Sequence, residues 1–225
     1  MELSENTLEV LKNYSSINQN VMIKQGNTIR TITEARNVLS TAVVDVEFPK
    51  DFGIYDLNEF IGALSLVDKP TLTFADEYVT ISDSTGRSSI KYFFSPEETL
   101  TTPSKDINMP EGEVKFILDN DTLNKIRRAA STLGHDEVSI SNNNGALSMS
   151  VVDSQNSTSN KFSIDIDGDF DQSVNFNFIV NIANVKVIPG DYEVELSSKL
   201  ISRFSNKELN LKYWIALEKS SSYGV

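Results

Sequence analysis

The sequence predicts an α+β fold built twice over, with antiparallel sheets that carry their helices on one face. Three observations predict it. Residues 3–12 and 118–127 fall in register, so that Leu3, Thr7, Leu8, Leu11 and Lys12 match Leu118, Thr122, Leu123, Ile126 and Arg127. A second matched pair follows, residues 54–60 and 179–185, and both pairs lie among short runs of β-branched residues. Between the copies, Pro96, Pro103, Pro110 and Gly112 punctuate a polar stretch without periodicity, where a duplicated chain would have its linker. The expected division is a first domain over 1–100, a linker over 101–113 and a second domain over 114–225.

Taken in order, residues 3–16 form a helix whose apolar face centres on Leu8, Leu11 and Ser15, with Val10 and Tyr14 beside them. Strands follow at 21–24, 28–33 and 40–48, the first pair turning at Gln25-Gly26-Asn27. A second helix over 56–67 takes Asp56 as its N-cap and presents Leu57, Phe60, Ile61 and Leu64. Strands at 71–74, 78–82 and 88–94 complete the half. In the second half, Asp121 or Thr122 caps a helix that runs to Leu133 with Leu123, Ile126, Ala130 and Leu133 on its apolar side. Strands over 138–141 and 146–152 flank the turn Asn142-Asn143-Asn144-Gly145, and another covers 161–166. A short helix over 181–186 stops before Pro189-Gly190, strands at 192–197, 202–204 and 209–217 close the fold, and residues 220–225 form a flexible tail. Each helix has a single apolar stripe, so both helices of a half cover the same face of a sheet.

Composition narrows the function. The 225 residues include no cysteine, which excludes disulfides and thiolate metal sites, and His135 is the only histidine. An acidic, polar start argues against a signal peptide, and no apolar run approaches the ~20 residues that span a bilayer, so a soluble intracellular protein is expected. The net charge of −12 would by itself argue against nucleic acid. Charge position says otherwise. Between Leu123 and Leu133 lie Lys125, Arg127 and Arg128 with no acid, Lys12 matches Arg127 across the repeat, and Lys186 sits on the last short helix. These cations are either solvated helix charges or a surface for phosphates.

Other patterns carry less. The run from Asp165 to Asp171 would need glycine at its sixth position and glutamate at its twelfth to bind calcium, but has Phe170 and Phe176, so it reads as an acidic turn. His135 reads as a surface turn residue. Phosphate-cradling glycine loops and nucleophile elbows are missing, and no catalytic set emerges. Trp214, the one tryptophan, is either a core strand aromatic or part of a groove for partner peptides.

Against this background, Ile54-Tyr55-Asp56-Leu57-Asn58-Glu59-Phe60-Ile61-Gly62-Ala63-Leu64-Ser65-Leu66-Val67 resembles the second helix of the DNA polymerase sliding clamps of T-even-type bacteriophages. Phe176-Asn177-Phe178-Ile179-Val180-Asn181-Ile182-Ala183-Asn184-Val185-Lys186-Val187, with Pro189-Gly190-Asp191-Tyr192, resembles the corresponding segment of their second domain, and residues 123–138 align without gaps. The resemblance extends from about residue 3 to 217. It implies duplicated clamp domains in a closed homotrimeric ring, with sheets outside and helices lining a hole through which duplex DNA slides without sequence preference. Lys12, Lys125, Arg127, Arg128 and Lys186 would face the DNA. Ile90 and Tyr92 would meet Phe162 and Ile164 of the next subunit, and Leu100, Trp214 and Ala216 would form the pocket for partner peptides. The partners implied are the replicative DNA polymerase, an ATP-driven clamp loader and late-transcription factors, in the cytoplasm of the infected bacterial host. The chain itself would need no cofactor, metal or catalytic residue. The alternative is a non-enzymatic structural ring protein of a phage, which would need no basic helix face.

Overall fold

The computed structural model describes residues 1–105, 107–156 and 158–224. The chain divides into two compact units, one of Met1–Asp106 with Leu209–Leu211 and one of Ile107–Glu208 with Lys212–Val225.

The first unit opens with helix α1 (Glu5–Ile17), followed by strands β1 (Val21–Ile23), β2 (Gly26–Ile32), β3 (Val38–Phe48) and β4 (Phe52–Ile54). Helix α2 (Leu57–Ser65) leads into β5 (Thr71–Phe74), β6 (Tyr78–Ser82) and β7 (Ser89–Phe93). Ser4 starts α1 by accepting the Thr7 N–H at 3.0 Å, and Asp56 starts α2 by accepting that of Glu59 at 3.0 Å. Strands run in the order β4-β1-β2-β3, with a separate antiparallel sheet β5-β6-β7. Helix α1 lies against β2, β3 and α2, and buries Thr7, Val10, Leu11, Tyr14 and Ile17. The buried stripe is therefore turned from the one expected. Leu8 and Ser15 lie at its margin, because Tyr14 goes wholly inside, where its hydroxyl accepts from Ser40 Oγ at 2.9 Å. A buried hydroxyl that keeps a partner is tolerated in a core, and the larger ring sets the helix rotation.

The second unit runs β8 (Val114–Leu118), α3 (Asn120–Leu133), β9 (Glu137–Asn143), β10 (Ala146–Val152), β11 (Phe162–Ile166), β12 (Gly168–Asp169) and β13 (Phe176–Asn181). It ends with β14 (Tyr192–Ser197), β15 (Ile201–Asn206), β16 (Leu211–Ala216) and β17 (Ser222–Tyr223). One set of strands is ordered β12-β8-β14-β15-β16, the other β11-β10-β9-β13-β17. Asp119, two residues earlier than expected, caps α3 by accepting the Thr122 N–H at 2.7 Å. Gly134 closes the helix in the left-handed conformation (φ 70°), where any other residue would be strained, and both its N–H and that of His135 reach the Ala130 carbonyl. Leu123, Ile126 and Ala130 of α3 are buried, and Phe116, Leu118, Val138, Ile140, Met149, Val180, Val194 and Phe204 line the same core.

Two expectations fail here. The short helix over 181–186 is a single 3-10 turn, Ile182–Asn184, and the residues before it form strand β13, paired to β9 from Asn177↔Ser141 to Asn181↔Glu137. Six residues, three of them polar (Asn181, Asn184 and Lys186), are too few to fix a helical period, and the first is taken into β13 by its pairing with β9. The tail is also structured in part, since Tyr223 and Ser222 pair with Phe176 and Asn177, and the Tyr223 ring stacks on those of Phe176 and Phe178. Val225, at the end of that tail, lies outside the described residues, as does Asp106 of the expected linker.

Candidate functional site

The helix cations sort into different situations. Lys12 is exposed on α1, but among exposed neighbours Glu5 and Glu9. Lys125 and Arg128 are exposed on α3, one turn apart on a helix whose first-turn acid, Asp121, meets Lys125 Nζ at 2.7 Å. Such exposed pairs contribute a few tenths of a kcal/mol, about 0.3–0.5, so Lys125 can exchange Asp121 for another anion at little cost. Arg127 points the other way. Its Nη2 donates to the carbonyls of Val185 (3.0 Å) and Val187 (3.1 Å), and burial pulls its pKa below the ordinary guanidinium value. These two bonds bracket Lys186, which is exposed. Arg127 thus ties the segment after the 3-10 turn to α3 and sets Lys186 beside the helix that carries Lys125 and Arg128.

The expected contact strands have distinct edges. In the sheet β5-β6-β7, the β5 edge is covered by the chain start: Leu72 N donates to Met1 O at 2.7 Å, and Glu2 bridges Thr71. The β7 edge carries no strand partner beyond β6 among the described residues. On β7, Ile90 and Tyr92 share the inner face, opposite the buried Ile81 and Val79, while Lys91 and the exposed Phe93 face outward. In β11-β10-β9-β13-β17, the terminal β17 is two residues long, whereas β11 is a five-residue terminal strand. Phe162 and Ile164 sit on its inner face, across from the buried Val151 and Met149, and both remain half-buried. A long strand end with apolar side chains on one face is a template for pairing.

Tyr92 also carries a pH signature. Its hydroxyl donates to the Asp56 carbonyl at 3.1 Å, its ring packs edge-on against Phe60 at 5.1 Å, and burial, helped by the charge of Glu59, pushes its pKa up to about 12. A tyrosine in the unfolded chain ionises near 10.0. The native state therefore holds this proton more tightly, and the resulting stability is complete below the unfolded value and lost as pH rises toward the folded one. Thermal melts from pH 9 to 12 should show wild type losing stability above about pH 10, and Tyr92→Phe losing measurably less; identical alkaline slopes would remove Tyr92 as the source.

Leu100 belongs to the first unit. It ends the 3-10 turn Glu97–Thr99 and is half-buried, its Cδ1 lying 2.7 Å from where a Cβ on Gly53 would stand. Trp214 and Ala216 belong to the second unit, at the half-buried outward positions of β16, between the buried Tyr213, Ile215 and Leu217. The close approach at Gly53, and Arg203, which the register of β15 against β16 sets across from Trp214, were not anticipated from sequence. His135 Nε2 meets the Asn160 carbonyl at 2.8 Å. The acidic run forms β12 at Gly168–Asp169, paired to Phe116 and Lys115, and then a turn in which Asp171 accepts from the N–H and hydroxyl of Ser173. Among the described residues, no three His, Asp or Glu side chains converge as a metal would need, and no helix is long and apolar enough to cross a membrane.

Two α+β units, the first with two helices and the second with one packed on antiparallel strands, have the DNA-clamp fold. The proliferating cell nuclear antigen of Entamoeba histolytica superposes with a TM-score of 0.70 over 96% of this chain and 97% of its own, at 13% identity. Closer relationships follow from sequence. The family described as DNA polymerase processivity factor matches residues 4–97, and that described as gp45 sliding clamp, C terminal, matches residues 115–219. The sliding clamp of Vibrio phage KVP40 is 31% identical over 97% of this chain and 99% of its own length. Those of Escherichia phage RB69 and Enterobacteria phage T4 are each 31% identical over 99% of both chains. The chain belongs to the phage sliding-clamp family of DNA polymerase processivity factors.

Proposed function

We propose that three copies of this chain close head to tail into a ring that encircles duplex DNA and slides on it, tethering the replicative polymerase in the cytoplasm of the infected bacterium. In this reading an ATP-driven loader opens the ring, late-transcription factors share the partner surface at Leu100, Trp214 and Ala216, and residues 101–113 link the two clamp domains. No catalytic step is assigned to the chain, whose relatives act by binding. The observation that carries the reading is the pair of unlike strand ends, β7 in one unit and β11 in the other. A contact between two different edges is head to tail, and it generates a ring where its rotation closes, rather than a twofold dimer. Light scattering over a dilution series tests it. A species of about 75 kDa, three times the 25.0 kDa chain, is expected; a monomer at every concentration would overturn the ring.

The DNA surface follows from the helix charges. Lys125, Arg128 and Lys186 are the phosphate contacts, with Lys12 weakened by Glu5 and Glu9, and Arg127 acting as a positioning residue. Contacts to phosphate are sequence-independent and loosen with salt, which suits a sliding ring. Reversing both Lys125 and Arg128 to Glu should lower DNA retention by about tenfold or more at moderate salt and flatten the salt dependence, with ring mass unchanged. Arg127→Ala should behave differently, costing about 1–3 kcal/mol of stability through two stranded carbonyls and leaving Lys125 and Arg128 in place. Retention and processivity equal to wild type in the double reversal would remove the DNA assignment of α3 and favour a structural ring.

A further inference from the structure

The helices of the two units expose stripes of the same spacing and unlike charge. On α1 the exposed positions are Glu5, Glu9, Lys12 and Ser16, and on α3 they include Asp121, Lys125, Arg128 and Thr132. Each set advances by four, three and four residues, which keeps it in one line along a helix. Each line lies opposite the buried side chains, Val10 and Tyr14 on α1, Ile126 and Ala130 on α3. Sequence register pairs Lys12 with Arg127. Arg127, however, turns inward to the carbonyls of Val185 and Val187, so the cation in the place of Lys12 on the exposed stripe is Arg128. The stripes then differ in sign at one place only, where α1 has Glu9 and α3 has Lys125. Neighbouring residues widen the difference. Helix α2, packed on α1, exposes Asn58, Glu59, Gly62 and Ser65, none of them basic, whereas the segment tied to α3 exposes Lys186.

A duplex presents a dense line of phosphate charge, and a carboxylate within a screening length, about 8 Å at physiological salt, repels it. On the first unit, Glu9 lies three residues before Lys12, a neighbouring position on a helix surface, and offsets its charge. Glu5 and Glu59 then leave the exposed helix face with a surplus of acid. On the second unit, Asp121 is the only exposed acid of α3, against Lys125, Arg128 and Lys186. We propose that phosphate contact is confined to the second unit, and that Glu9 is the residue that keeps the duplex off the first. One helix face of each subunit attracts the phosphates and the other holds them away. Fewer contacts have to break and reform as the ring moves, so it is held loosely on DNA and travels easily. The assignment rests on the reading of the chain as a ring around duplex DNA, and adds which half of each subunit touches it.

The probe is a fluorescent duplex of about 30 base pairs, whose free ends let it thread a closed ring without a loader, titrated by anisotropy into the full chain from about 50 to about 200 mM salt. Glu9→Lys should bind about tenfold tighter at the lower salt and steepen the slope of log Kd against log salt by up to about 3, one new phosphate contact in each of three subunits. Lys12→Gln should leave binding within about twofold of the parent, whereas Lys125→Gln should weaken it about threefold or more. Glu208→Lys, exposed in the turn between β15 and β16, makes the same charge change away from the helices and should alter binding by less than about twofold. The double reversal of Lys125 and Arg128 to Glu, run in the same assay, reports on the DNA reading itself. Suppose that reversal weakens binding. Confinement to the second unit is then overturned by parent-like affinity and slope in Glu9→Lys, by equal losses in Lys12→Gln and Lys125→Gln, or by a Glu208→Lys protein that binds as tightly as Glu9→Lys, while the DNA reading stands. A reversal without effect overturns both. Glu and Lys have similar helix propensity, so α1 should persist in Glu9→Lys, and light scattering and thermal melts on each variant identify loss of ring or fold as a separate cause.

Discussion

Phe162→Asp is expected to leave a folded 25.0 kDa monomer under conditions where the parent chain runs as an assembly of about 75 kDa. The effect is large because of where the side chain stands. Phe162 is the first residue of a terminal strand, on the face that carries Ile164 and Ile166 across from the buried Met149 and Leu147. In a lone chain it is half-buried, so water can still reach an aspartate there and the fold survives. Once a neighbouring subunit covers that edge, the carboxylate loses its water without gaining a partner, at a cost of several kcal/mol, roughly 2–7 by transfer measures for polar groups. The outward face of the same strand already carries an exposed acid, Asp165, so charge is tolerated on one face and not on the other. Ser163→Asp is therefore the control, keeping mass near the parent value. Light scattering and circular dichroism on both variants check the result. A Phe162→Asp protein that keeps the parent's mass would remove β11 from the contact, and a monomer should also fail to extend polymerase runs.

The second large effect is Gly53→Ala, which should lower the melting temperature by several degrees. Gly53 lies in β4, opposite Met22 of β1, and its carbonyl accepts the Ser95 N–H at 2.9 Å. A Cβ added there would stand 2.2 Å from Ser95 O and 2.7 Å from Leu100 Cδ1. The leucine could turn aside, but the carbonyl is main chain, so the strand or the segment leading to Leu100 must move. Overpacking of this kind costs about 1–3 kcal/mol, and each kcal/mol shifts the melt of a chain this size by roughly 2–4 °C. Gly62 of α2 supplies the contrast, because a Cβ there meets nothing within 4 Å. Gly62→Ala should be neutral or stabilising by up to about 1 kcal/mol. Calorimetry on both variants decides the matter. An unchanged melt for Gly53→Ala would mean that the Ser95 segment yields freely, and Leu100 would then be no fixed part of a partner surface.

Much of this architecture can be read from residue patterns because helices α1 and α3 are long and repeat one another. Asp56 and the stripe Leu57, Phe60 and Leu64 similarly announce α2. The misreading of 181–186 has a plain cause: six residues are too few to fix a helical period, and Asn181 is taken into β13 by its pairing with Glu137 of β9, more than forty residues earlier, which leaves a single 3-10 turn. Site residues were harder than elements. Arg127 looks like its neighbours Lys125 and Arg128 in one dimension, and only the carbonyls of Val185 and Val187 distinguish an anchor from a free surface cation. Strands 88–94 and 161–166 were legible as strands, but that they terminate their sheets is a property of topology, not of composition. The position of Arg203 opposite Trp214 likewise depends on a register that no local pattern encodes.

Trp214 has one more consequence, an optical one. It is the chain's single tryptophan and its ring is half-open on the outward face of β16. Seven tyrosines absorb at shorter wavelength, so red-edge excitation lights this indole alone. Its emission colour, lifetime and accessibility to a collisional quencher therefore report on one patch of a 225-residue surface without any dye. Anything that settles there, or any motion that uncovers it, writes directly into the intrinsic glow of the protein.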